Sequence, residues 1–269
     1  MLKERLIIGI LGAILAIAVL LAGNVLLSVC VGVITLMALG EMYHALGYYK
    51  KNLPLALFGF GAGAVYLIFS ALGKACLTPL LIGYIAVLFV YMVLTYGKTG
   101  FTDVATGFFG TVYITLMFSH ITMLHAIPHG RVLIWTVFIG AWLTDTSAYT
   151  FGLLFGKHKL IEKVSPKKTV EGAVGGVIGN MASFAVFGLI CTLALGYTVN
   201  WIALLALGLI TAVAAQFGDL AASCIKREVG IKDFGSLLPG HGGVLDRFDS
   251  VLLVAPVVYY FVTQFHIFV

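Results

Sequence analysis

The chain has 269 residues, of which 61% are hydrophobic and only 10% charged. A soluble domain carries about 25% charged residues, so this composition excludes an ordinary water-soluble fold and points to an all-α polytopic integral membrane protein. The net charge of +5 does not imply a nucleic-acid partner, because no basic patch is interleaved with aromatic residues; it suits loops facing anionic lipid.

The opening MLKERLIIGILGAILAIAVLLAG has the basic start of a secretory signal. Its apolar run from Leu6 to Ala22 is long, however, and no convincing small-x-small cleavage site follows, so it reads as a retained first span. A helix needs about 20 apolar residues to cross the hydrocarbon core. Runs of that kind predict spans near 6–22, 24–46, 55–73, 77–95, 104–124, 132–155, 172–195, 201–220 and 251–268, nine in all. Small residues scattered through them permit close helix contacts. No internal repeat suggests an inverted-repeat transporter.

Nine spans place fourteen of the sixteen Lys and Arg on the side of the N-terminus, leaving only Lys74 and Arg131 opposite. The positive-inside rule then puts the N-terminus and both long charged loops in the cytoplasm. Residues 1–100 read as a scaffold of membrane helices, and 101–269 as the helices that carry the catalytic loops, within one integral unit. Cys30, Cys76, Cys191 and Cys224 have no paired spacing and read as space-filling.

Eight of the eleven acids accompany the loops after the sixth and eighth spans, where ordinary connectors would not place carboxylates at the ends of apolar helices. In WLTDTSAYTFGLLFG, Asp145 lies within an apolar span, Tyr149 follows one turn later, and Glu171 opens the next span; these three are candidates for a polar cavity. Lys167, Lys168 and Thr169 offer charge and a hydroxyl for phosphates. In AAQFGDLAASCIKREVG, continuation of the helix past Gln216 would put Asp219, Ser223, Lys226 and Arg227 on one face. In PGHGGVLDRFDS, the glycines free the backbone for close approach to a ligand, and successive N–H groups could cradle phosphate. Asp246 and Asp249 share one face of the following helix, with Arg247 turned elsewhere. Asp219, Asp246 and Asp249 together suit Mg²⁺, and three carboxylates suffice for a second cation. His241 is the one histidine in this constellation; the other six read as structural.

Ser223, Ile225, Lys226, Arg227, Lys232, Asp233, Pro239, His241, Gly242, Gly243, Asp246, Arg247 and Asp249 together resemble the signature of the phosphatidate cytidylyltransferases, the CDP-diacylglycerol synthases. The segment Asp145 to Tyr149 and the run SPKKTVEG are similar to parts of the same family. The resemblance implies an enzyme of phospholipid biosynthesis in the plasma membrane, as in the bacterial inner membrane. It implies that CTP and phosphatidic acid react, with Mg²⁺, to give CDP-diacylglycerol and pyrophosphate, and that the protein is a homodimer. On this reading Asp246 and Asp249 are catalytic together with Lys226, Arg227 and Lys232. Lys167, Lys168, Thr169, Ser223, His241, Gly242, Gly243 and Arg247 bind phosphate and nucleotide. A related CTP-dependent kinase of a lipid alcohol is the nearest alternative, and an ion-coupled transporter is a more distant one.

Overall fold

Lipid offers no hydrogen bonds to the backbone, so each spanning segment must satisfy its own N–H and C=O groups, and helices result. The computed structural model describes residues 12, 14–72, 77–237 and 242–268. Six helices among the described residues are long and apolar enough to cross a membrane. They are α1 (Asn24–Ala45), α2 (Leu53–Ala71), α3 (Leu77–Leu94), α4 (Phe101–Ala126), α6 (Val170–Leu193) and α7 (Trp201–Glu228). Between α4 and α6 lies α5 (Thr144–Phe155), and α8 (Leu245–Gln264) closes the fold. The start of the first expected span, 6–11, and residue 13 lie outside the described residues; residues 14–22 are helical.

The run expected as one span over 132–155 is broken into Gly130–Leu133, Trp135–Phe138, a π-helical turn at Ile139–Leu143 and α5. Its wide turn falls where Gly140 packs against Thr211 and Val254, the kind of local adjustment that π-turns provide inside helices. The connector after α5 contains an antiparallel hairpin, β1 (Lys159–Ile161) and β2 (Ser165–Thr169).

The chain divides into two compact units that interleave in sequence. One comprises 1–123 with 229–247, the other 124–228 with 248–269. In the first, polar pairs join apolar helices: Tyr43 and Tyr84 both meet Thr111 Oγ1, at 2.6 and 2.7 Å. Asn52 donates to Thr99 at 2.9 Å and accepts from Tyr91 at 2.7 Å. Such bonds hold helices together where lipid leaves little hydrophobic drive between them.

In the second unit, glycines build the seam. Gly172, Gly175, Gly176 and Gly179 lie along one face of α6, and side-chain carbons there would run into Ala148, Phe151 and Ser147 of α5. Asn180 donates to Gly208 O at 2.7 Å and to Thr211 at 3.1 Å, tying α6 to α7.

Candidate active site

The helix α7 runs unbroken to Glu228, so the face expected to carry Asp219, Ser223, Lys226 and Arg227 exists. Ser223 donates to Asp219 Oδ1 one turn back at 3.4 Å. Lys226 is buried, at 8% exposure, while Arg227 reaches sideways to donate from Nε to Val164 O at 3.3 Å. Along β2 Lys167 is exposed and Lys168 half-buried. Lys168 Nζ meets Asp219 Oδ2 at 2.6 Å. Thr169 caps α6, its hydroxyl accepting from Gly172 N at 3.1 Å.

Gly218 lets α7 approach the backbone of α8, since a side chain there would press on Asp249 O at 2.8 Å. This approach brings Asp249 beside Asp219. Asp249 precedes the apolar run that starts at Val251 and is 7% exposed. Its Oδ1 accepts the N–H of Ser250 at 2.8 Å, and Ser250 Oγ donates to Asp145 Oδ2 at 3.0 Å. Burial, then the Asp219 carboxylate, push the Asp249 carboxyl up from an ordinary 3.8 to about 7; Lys226 pulls it down and Asp145 adds to the rise. Three carboxylates therefore interact in one place with Lys168 and Lys226 as nearby cations.

The unit formed by 1–123 and 229–247 contains the other half of the signature. Gly242 has a positive φ of 82°, which glycine adopts without strain. Asp246 Oδ2 accepts from Phe234 N at 2.8 Å and Gly243 N at 3.0 Å. The next two N–H groups, of Val244 and Leu245, donate to the two oxygens of Glu41 at 2.8 Å each. The N–H groups of Gly243, Val244 and Leu245 thus all meet carboxylates of the chain itself. Lys232, Asp233 and Arg247 are exposed. His241 lies outside the described residues.

The three residues expected to line a polar cavity meet different surroundings. Asp145 bonds Ser250, Tyr149 is 72% exposed, and Glu171 binds the hairpin entry through His158 Nδ1 at 2.6 Å and the N–H groups of Lys157 and His158. Sequence reasoning passed over Ser250 and Glu41. The signal for Glu41 was present, a carboxylate within the apolar helix α1 and far from the two charged loops in sequence.

Among the described residues no three His, Cys, Asp or Glu side chains cluster closely enough to cage a metal ion alone. The donor set fits a hard divalent cation of another kind. Such an ion prefers oxygen ligands, keeps waters and is completed by substrate phosphates, so one or two protein carboxylates suffice. Asp219 and Asp249, crowded and mutually repulsive, offer that.

A family model described as the cytidylyltransferase family matches residues 3–265. The phosphatidate cytidylyltransferase of Bacillus subtilis (strain 168) is 32% identical over 269 residues, covering 98% of this chain and 98% of its own. That of Staphylococcus aureus (strain COL) is 35% identical over 264 residues, covering 94% of this chain and 96% of its own.

Proposed function

The chain belongs to the cytidylyltransferase family, and on that premise we propose that it transfers the cytidylyl group of CTP to phosphatidic acid, giving CDP-diacylglycerol and pyrophosphate. The observation that carries the reading is the set of carboxylates Asp145, Asp219 and Asp249 beside Lys168 and Lys226 at the end of a membrane helix. Likeness over nearly the full length to proteins named for that reaction supports the choice of substrates.

In the reaction a phosphate oxygen of phosphatidic acid attacks the α-phosphorus of CTP. The bond from that phosphorus to the bridging oxygen breaks, and pyrophosphate leaves with the electron pair. The nucleophile is already an anion, so no general base is required; the obstacle is repulsion between polyanions. Lys168 and Lys226 lower that repulsion and hold phosphate oxygens in line. Arg227, Lys232 and Arg247 are proposed to assist at the triphosphate, with Lys167, Thr169, Ser223, His241, Gly242 and Gly243 shaping the surroundings. Asp219 and Asp249, with Asp246, would hold Mg²⁺. A divalent ion bound there supplies neutralisation of charge at the reacting phosphates.

Fourteen of sixteen basic residues on one side of a nine-span chain support a cytoplasmic N-terminus and a site open to soluble CTP. A homodimer in a bacterial inner membrane completes the proposal. The test supplies purified protein, CTP labelled in the cytosine ring, phosphatidic acid and Mg²⁺. CDP-lipid with pyrophosphate is expected. Release of CDP with a phosphorylated lipid alcohol would instead identify a kinase, and absence of CDP-lipid with phosphatidic acid would overturn the reading.

A further inference from the structure

Glu41 belongs to α1, a helix without another acidic residue, and its carboxylate lies 203 positions in sequence from the group it binds. Its Oε1 accepts the N–H of Val244 and its Oε2 the N–H of Leu245, both at 2.8 Å. Leu245 is the first residue of α8, so the carboxylate sits at the positive end of that helix. Two glycines make the slot. A side chain at Gly235 would collide with Oε1, and one at Gly243 with Oε2 and the carboxyl carbon. In the same turn, Gly243 and Phe234 donate their N–H groups to Asp246. Three successive N–H groups at the entry of α8 are therefore fixed by carboxylates, two of them by Glu41.

An acid in an apolar helix is unfavourable unless its oxygens are bonded. A solvated surface acid would not need glycines at two separate loop positions to admit it. We infer that Glu41 is a positioning residue for the reaction: by binding Val244 and Leu245 it fixes the start of α8, and with it the direction in which Asp246 is presented. This inference rests on the proposed cytidylyl transfer. It assigns Gly243 the task of admitting Glu41, a different role from close approach to phosphate.

The test uses the full-length protein in detergent or nanodiscs. In Glu41→Gln one oxygen is replaced by a donor, so one N–H loses its acceptor. Amide exchange over residues 243–246 is expected to quicken about 10-fold or more, as those bonds no longer protect the turn. The kcat is expected to fall about 10- to 100-fold with the KM for CTP within about 2-fold, since a misplacement near 1 Å costs about that much in rate. A merely structural acid would leave that ratio unsplit. Gly243→Ala, which displaces Glu41, should reproduce the quickened exchange, and in a Glu41→Ala background it should add less than about 2-fold to that exchange. Unchanged exchange at Val244 and Leu245 in folded Glu41→Gln overturns the inference. If that variant does not fold, unchanged exchange in Gly243→Ala overturns it, as does a full effect of Gly243→Ala without Glu41. The exchange measurement needs no substrate, so failure of the wild type to make CDP-lipid would strike the functional reading separately.

Discussion

Lys168 is half-buried and meets Asp219 at 2.6 Å, while Lys167 stands exposed one residue away. The sequence offered both as phosphate ligands without distinguishing them. Lys168→Met should lower kcat/KM about 100-fold, the scale seen when one stabilising group is removed from a site. Lys167→Met should change it by less than about 3-fold, because an exposed charge is largely screened by salt. Steady-state assays of the two variants side by side check this, and equal losses would count against an inward role for Lys168. Asp249 is the other residue with a clear consequence. Burial and the Asp219 carboxylate hold its carboxyl well above the ordinary carboxylate value of an unfolded chain, so ionising it opposes folding progressively as pH rises above that ordinary value. In chelator, the unfolding temperature of the solubilised protein should therefore fall from pH 5 to pH 8. Added Mg²⁺ should restore more at pH 8 than at pH 5, and Asp249→Asn should flatten both trends. Thermal scans across pH provide the measurement.

Helix seams and helix ends carry the next level. A methyl group at Gly175 would collide with the Phe151 side chain, whereas one at Gly83 meets nothing within 4 Å. Gly175→Ala should destabilise by about 1–3 kcal/mol, the cost of overpacking a tight contact, and Gly83→Ala should stay within about 0.5 kcal/mol. Comparison of their unfolding in detergent separates seam glycines from incidental ones. The extension of α7 to Glu228 was legible in the spacing of Asp219, Ser223 and Lys226, because a 3.6-residue repeat is a local property. The hairpin over 159–169 was not, since two short strands of mixed polarity carry no clear alternation. The turn at 242–245 was legible only in part. Its glycines announce close approach by something, but the approaching group is Glu41, and nothing local in the sequence names a partner 203 residues away.

For the molecule as a whole, the apolar composition was enough to reveal a helical membrane protein, and the described helices agree. Nine crossings and the cytoplasmic N-terminus rest on charge asymmetry. They predict that a lone cysteine at Lys163 is labelled by an impermeant thiol reagent only from the cytoplasmic side, and one at Arg131 only from the outside. Labelling of intact cells against inverted vesicles, in a chain with its native cysteines replaced, decides it; reversal of the pattern would overturn the topology.

The interleaving of the chain, in which 229–247 joins the unit formed by 1–123, has a consequence for biogenesis. Synthesis at about 5–20 residues per second separates the emergence of Glu41 from that of Val244 by about 10 to 40 seconds. Through that interval α1 is already made while the N–H groups that will receive its acid do not yet exist. The N-terminal helices must therefore wait in an unfinished arrangement, and a ribosome that stops before the last span leaves behind an acidic helix with its slot unbuilt.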